Sequence, residues 1–393
     1  MTIDYVKAPL AFKIRKAARY VRLYGLNRTI WKARGQYHMR RAFDQLPQAQ
    51  ERNANAHVGL LGCGNFGYSN IAYYLNKRYG HVLRGCMDPD INRAASLFQD
   101  FKLDYYTDDA ERILGDDRID LVYIASNHAS HAEYAIRALD NGKSVHIEKP
   151  HVVSFDQLNR LCAAMARSTG AVGLGFNRPN SRIGRLMREA LAAETGPTML
   201  NWFIAGHAID DDHWYFKQEE GGRVLGNLCH WTDLIYHCIP EDARYPITIK
   251  PTKAHKSDSD IAVTYTFGDG SIAALTFSAK GHTFEGVRER FAAHRGNVLV
   301  FMDDFQSLII ETNAEKRDLS SRQRDHGHSA AIEYSYDASR MAPDDPRRLS
   351  VAYIWESGEL FLKTKQALDT DTVQRVERYS SDRLAQLESE AAQ

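Results

Sequence analysis

The stretch GLLGCGNFG, residues 59–67, limits what this chain can fold into more than any other. Three glycines, Gly62, Gly64 and Gly67, follow a short apolar run and open a helical pattern, and in that context each has its own physical task. Gly62 permits a tight strand-to-helix turn, Gly64 lets a pyrophosphate approach the backbone, and Gly67 lets helix and strand pack closely. The helix N-terminus then offers its unsatisfied N–H groups to phosphate. Asn65 and Phe66 belong to the same turn. An acid is expected where the second strand ends, to meet ribose hydroxyls, and Asp88 closes VLRGCMD at that point. Its charge would repel a 2′-phosphate, so the pattern favours NAD, while the nearby Arg93 keeps NADP open.

The rest of the first half supports this reading. Apolar runs at 57–62, 82–88, 119–126 and 144–150, and AVGLGFN from 171, alternate with helical segments. One of these, SFDQLNRLCAAMARSTG, has Ser154 as a natural N-cap. Strands alternating with helices predict a doubly wound parallel sheet. After about residue 180 the alternation stops. One helix is followed by strand-like segments, including AVTYTF and SIAALTF joined by Gly268-Asp269-Gly270, a hairpin signal. The predicted class is α/β: a Rossmann sheet over 56–180, then an α+β domain over 181–393. That second domain is expected to hold an open, mostly antiparallel sheet and a helix-rich tail over 328–390.

Residues 1–55 stand apart. They carry twelve Lys or Arg against three Asp or Glu, whereas the 393-residue chain is neutral overall. Leu10, Ile14, Ala17, Val21 and Tyr24 recur near a helical period, and Gly25 and Gly35 divide the stretch into two or three short helices. QLPQAQERNANA (45–56) reads as a linker. This helical extension is expected to pack on the Rossmann domain or a neighbouring subunit. A basic amphipathic helix can also lie on an anionic membrane surface or meet a membrane-bound protein partner. Nucleic acid ranks last, because no nucleic-acid-binding fold accompanies the charge. No run approaches a membrane span, no secretory h-region opens the chain, and five cysteines occur without a CxxC pair. Reduced thiols and a cytoplasmic location are expected.

A second signal is Glu148-Lys149-Pro150 at the end of a later strand. With GLLGCGNFG, IASNHASHAEYAIRALDNGKSVHIEKP and EEGGRVLGNLCHWTDL, the chain resembles the Gfo/Idh/MocA family of sugar and polyol oxidoreductases over about 57–368. GFNRPNS, DHWYFKQEEGGR and CHWTDL resemble the branch similar to the C-terminal module of bi-domain oxidoreductases. The resemblance implies NAD(P) on the Rossmann domain and a sugar, nucleotide sugar or polyol held by the second domain. It implies a homo-oligomer, dimer or tetramer, formed through the antiparallel sheet, and a role in sugar metabolism such as polysaccharide biosynthesis. Lys149 would stand beside the nicotinamide, its ammonium lowering the alcohol's pKa. His230 would take and return the hydroxyl proton. Ser126, Asn127, His131 and Glu148 would border the cofactor; Asn127 also reads as a turn residue, and His131 as a helix start. Asn177, Arg178, His213, Trp214, Arg223, Asn227 and His328 would border the substrate. Arg223 reads equally as a structural ion pair with Glu219 or Glu220, and Trp214 as core. Gly226 and Asn227 stand where relatives carry an acid, so the expected proton relay has no carboxylate from this motif. HASH (128–131) and HGH (326–328) lack the partners of a tetrahedral zinc set, so no metal is expected. Two other readings remain at this stage: a non-redox NAD-dependent sugar enzyme, working through transient oxidation, and a non-catalytic NAD-binding partner protein.

Overall fold

The apolar runs of the first half form one six-stranded sheet: β1 (Val58–Leu61), β2 (Leu83–Met87), β3 (Tyr105–Thr107), β4 (Leu121–Ile124), β5 (Ser144–Ile147) and β6 (Val172–Leu174). The structure is a computed structural model describing residues 7–207, 209–210, 212–253, 260–279, 281, 286–380 and 382. Strand order is β3-β2-β1-β4-β5-β6, and every pairing is parallel. All residues of β1, β4 and β5 are buried. Helices cover both faces of such a sheet, which is why these strands are continuously apolar instead of alternating. The order reverses between β1 and β4, and the crevice at that switch point is where doubly wound sheets bind ligands.

The second sheet has nine strands: β7 (Thr198–Ala205), β8 (Ile247–Lys253), β9 (Asp260–Thr266), β10 (Ile272–Ser278), β11 (Arg288–Arg295), β12 (Val298–Asp303), β13 (Ser307–Glu311), β14 (Lys316–Asp318) and β15 (Gln374–Val376). Their order is β14-β13-β12-β11-β7-β10-β9-β8-β15, antiparallel except for β7 beside β10. Here burial alternates. Leu200, Trp202 and Ile204 of β7 are buried while Met199 and Phe203 are exposed, the mark of a sheet covered on one face. RERFAAHRGNVLVFMDD forms two strands, β11 and β12, turned at Gly296 with φ +52. The tail also departs from the helical expectation. Asp371 takes a left-handed φ of 54, the chain leaves its helix, and β15 adds to the edge of the sheet beside β8.

The main helices are α1 (Leu10–Tyr24), α2 (Leu26–His38), α3 (Tyr73–Tyr79), α4 (Ile91–Phe101), α5 (Glu111–Leu114), α6 (His128–Asp140), α7 (Phe155–Arg167), α8 (Arg182–Ala192), α9 (Cys229–Cys238), α10 (His328–Ala338) and α11 (Val351–Thr370). The Ser154 hydroxyl accepts from the Gln157 N–H at 3.1 Å, capping α7 as expected. Gly25, with φ +83, separates α1 from α2. Gly35 does not break α2; it lies inside it.

Two compact units emerge. One holds residues 26–175 and 328–355 around the parallel sheet; the other holds the described residues of 7–25, 176–327 and 356–379 around the mixed sheet. The basic extension is therefore divided at Gly25, and α10 groups with the parallel sheet. No helix among the described residues is long and apolar enough to cross a membrane.

Candidate active site

Each turn glycine is required for a different reason. Gly62 has φ +95, and a Cβ there would fall 2.5 Å from the Ala125 carbonyl carbon. A Cβ on Gly67 would fall 2.3 Å from the Gly62 carbonyl oxygen. These two glycines let β1, the following helix and the β4 end pack together. A Cβ on Gly64 would meet nothing within 4 Å, so open space lies over this position of the turn. The helix after the turn opens with wide π-type turns over Gly67–Ala72 before becoming regular in α3.

Asp88 is buried at the end of β2. One carboxylate oxygen accepts from the Cys63 N–H at 2.8 Å and the other from the Asp90 N–H at 2.9 Å. The acid is thereby fixed against the glycine turn. Arg93 pairs with Asp90 at 3.2 Å.

At the ends of β4 and β5 two loops are tied together. The Ser126 and Ser130 hydroxyls lie 2.7 Å apart, and Ser130 also donates to the Asn127 side chain at 2.7 Å. The buried His131 ring spans from the Pro150 carbonyl (2.8 Å) to the Ser126 carbonyl (3.1 Å), and burial lowers its pKa. His131 thus joins the loop after β4 to the segment carrying Lys149. Lys149 is half-buried and precedes a cis peptide to Pro150. Glu148 faces inward: it meets His146 Nε2 at 3.1 Å and lies over Gly175, where a Cβ would be 2.6 Å from its Oε2. His146 is held in turn by the Ser335 hydroxyl at 2.7 Å. Glu148 therefore supports the Lys149 segment from beneath.

In the mixed-sheet unit, wide turns over Val224–Leu228 lead into α9, whose second residue is His230. The His230 ring lies edge-on to Phe176 at 6.3 Å, while Asn227 is half-buried one turn earlier. Arg178, expected to touch substrate, is instead buried in a bidentate pair with Glu289 (Nη2–Oε1 2.6 Å, Nε–Oε2 3.1 Å) and lies 4.6 Å over the Trp231 ring. A guanidinium removed from water needs such a partner. Trp231 Nε1 donates to the same carboxylate at 2.6 Å, so Glu289 anchors the residue next to His230. Asn177 is buried too, donating to the His326 carbonyl at 2.8 Å.

Arg223 donates to the His207 carbonyl and lies 5.6 Å over Phe277. His213 Nδ1 accepts from the Tyr215 N–H at 3.2 Å, its pKa lowered by burial and then by Arg223. Trp214 is 37% exposed, a displayed ring and not a core residue. His328, expected at the substrate, starts α10 and lies beside Phe66 of the glycine turn, ring centroids 5.8 Å apart. Its side chain faces the Rossmann turn because α10 packs on that unit.

Sequence reading missed Glu289, His207 and His38. Glu289 had a signal: it shares the inward-facing register of β11 with Phe291 and Ala293, an acid where alternation calls for an apolar residue. His38 had none, because its partners are distant in sequence. Among the described residues, no three His, Cys, Asp or Glu side chains group as a metal site requires.

Residues 56–176 match the family model described as the oxidoreductase family with an NAD-binding Rossmann fold, GFO_IDH_MocA. The chain is 31% identical to Oxidoreductase P35 of Formosa agariphila over 195 residues, 47% of this chain and 60% of that protein. It is 28% identical to scyllo-inositol 2-dehydrogenase (NAD(+)) of Bacillus subtilis, covering 61% of this chain and 72% of that one. For the first three curated relatives, the matches span only 60, 65 and 60% of their lengths. Among solved structures, levoglucosan dehydrogenase in complex with NADH and L-sorbose shares the fold with a TM-score of 0.69 at 15% identity, over 83% of this chain and 100% of that chain. An oxidoreductase domain protein from Kribbella flavida gives 0.69 at 16% identity, over 82% and 99%.

Proposed function

This chain carries the NAD-binding Rossmann domain of the Gfo/Idh/MocA oxidoreductase family, and from that premise we propose that it transfers a hydride between nicotinamide and a carbinol or keto carbon of a sugar, nucleotide sugar or polyol. The observation that carries the reading is the glycine turn: two glycines closed by backbone contact, one open for a ligand, and Asp88 hydrogen-bonded to the turn itself. Gly62, Gly64, Asn65, Phe66 and Gly67 would hold the pyrophosphate, and Asp88 the ribose hydroxyls. NAD is the favoured cofactor, because a buried carboxylate disfavours a 2′-phosphate and Arg93 is engaged by Asp90.

When bound, nicotinamide supplies the hydride acceptor. The alcohol loses its C–H pair as hydride and its O–H hydrogen as a proton, leaving a carbonyl. Lys149 lowers the hydroxyl pKa and steadies the developing oxyanion. His230 takes the proton and returns it in the reverse direction. Asn227 can hydrogen-bond a sugar hydroxyl but cannot accept the proton as a base. Glu289 anchors Trp231, the residue next to His230. The exposed Met199, Phe203, Ile272, Leu299 and Phe301 on the outer face of the mixed sheet support a homo-oligomer through that face. A cavity of about 330 Å³ on the same face, lined by Asn201, Phe203, Phe301 and Ile309 among others, adds to the surface a second copy would cover.

Titration of the full chain with NADH and NADPH tests the premise: binding of NADH is expected, and absence of binding to either overturns it. A screen of polyols, sugars and nucleotide sugars at the NADH absorbance then tests the reaction. Lys149→Ala should lose turnover by about two orders of magnitude or more while keeping NADH affinity. Equal loss of both would assign Lys149 to structure instead.

A further inference from the structure

The second helix of the basic extension packs directly behind the glycine turn. Arg28 donates to the Ser69 carbonyl and to Asn70 Oδ1 in the first turns after Gly67, with its guanidinium 5.0 Å from the ring centres of both Tyr73 and Tyr74. Trp31 stacks on Phe101 at 4.9 Å. A Cβ on Gly35 would come within 3.1 Å of Ser69 Cβ and 3.4 Å of Asn65 Oδ1, so α2 lies against the turn with little room at this position.

His38 completes the contact. It is buried, stacked on Tyr68 at 4.2 Å, with Nε2 2.7 Å from the Cys63 carbonyl and Nδ1 2.9 Å from the Ser96 hydroxyl. A carbonyl only accepts, so Nε2 carries the hydrogen and Nδ1 accepts from Ser96. Burial lowers the ring's pKa and favours this neutral form.

Cys63 is thus held at both ends: its N–H by Asp88 at 2.8 Å, its carbonyl by His38. The Cys63 carbonyl and the Gly64 N–H share one planar trans peptide and point in opposite directions. Fixing the carbonyl toward α2 therefore aims the Gly64 N–H away from α2. We propose that α2 is a brace for the dinucleotide turn, and that His38 is a positioning residue orienting the Cys63–Gly64 peptide for the cofactor's pyrophosphate. The proposal rests on the cofactor reading above.

The test is the dissociation constant of NADH, and of ADP-ribose, which carries the pyrophosphate without nicotinamide, for full-length wild type, His38→Leu and His38→Gln. His38→Leu should weaken both ligands roughly tenfold, the cost of one lost hydrogen bond of about 1.4 kcal/mol. His38→Gln, whose amide can donate to the same carbonyl, should recover most of the loss. A folded His38→Leu protein with wild-type affinity overturns the brace, as does a Gln variant no better than Leu. Should His38→Leu fail to fold, Ser96→Ala decides: it removes only the hydroxyl that orients the ring. About threefold weaker binding at an unchanged melting temperature supports the proposal, and wild-type affinity overturns it. If wild type binds no nicotinamide nucleotide, the cofactor reading falls; if wild type and variants bind equally, only the brace falls.

Discussion

The two helices of the basic extension share a composition and use it in opposite ways. Residues 7–43 contain eleven Lys or Arg and no Asp or Glu, so nothing in charge separates α1 from α2. Yet α2 buries Arg28, Thr29, Gly35 and His38, and shows Leu26, Ile30 and Tyr37 to solvent. In α1 only Leu23 is fully buried, while Leu10 is 72% and Ile14 59% exposed. An apolar stripe at helical spacing thus need not face its own fold. What decides is which side has groups to meet. α2 finds acceptor carbonyls and aromatic rings around the glycine turn. The end of α1 finds Arg324, whose N–H donates to the Leu23 carbonyl at 2.9 Å and whose guanidinium reaches the Tyr24 hydroxyl at 3.2 Å and Asp304.

This contrast can be broken by substitution. The largest effect should come from Leu23→Ala, which opens a cavity at a fully buried position and costs about 2–5 kcal/mol in denaturant unfolding. The control is Ile14→Gln, expected within about 0.5 kcal/mol of wild type, since it removes no buried contact. If Ile14→Gln destabilises as much as Leu23→Ala, the exposed stripe of α1 is buried in solution by another subunit. Sedimentation velocity on the same variant would show the change of mass. Next should be Arg28→Ala, which leaves a buried carbonyl and amide oxygen without their donor, at about 1–3 kcal/mol. The exposed Arg22→Ala should be nearly silent by comparison.

The smallest effect concerns pH. Burial pushes Lys16 of α1 down to about 8, against an ordinary value of 10.5. Between those values the unfolded chain holds a proton that the folded one has released, so this group makes stability rise with pH across that window. Below about pH 8 both forms are charged, and the burial penalty is constant. Lys16→Met should flatten the rise. Because the side chain remains partly in water, the change should stay under about 1 kcal/mol. A rise of equal size in the Met variant would assign it to other groups.

Much of the fold was legible because local periodicity and glycine chemistry report it directly. Continuous apolar runs between helices can be buried only in a two-sided sheet, which held for β1, β4 and β5. Alternation in β7, β9 and β10 required a one-sided sheet, and Gly268–Gly270 located its hairpin. Legibility failed where a residue's role depended on a distant partner. Gly35 reads as a helix breaker until Ser69 and Asn65 stand against it. Arg178 reads as a substrate ligand until Glu289 takes its guanidinium. His328 reads as a pocket residue until Phe66 lies beside it. The tail past Thr370 reads as helix until β8 offers an unpaired edge for β15.

The sequence by itself determined the glycine turn, the acid that closes β2, and the alternation of strands and helices over the first half. Those features depend on near neighbours: spacing, backbone freedom and charge. Only the tertiary structure decided that half of the basic extension belongs to each unit, that Glu148 and His131 support the Lys149 loop, and that His38 holds the glycine turn from behind. Each of those depends on a hydrogen bond or ion pair closed across many residues, and such partners are chosen by packing, which no local pattern encodes.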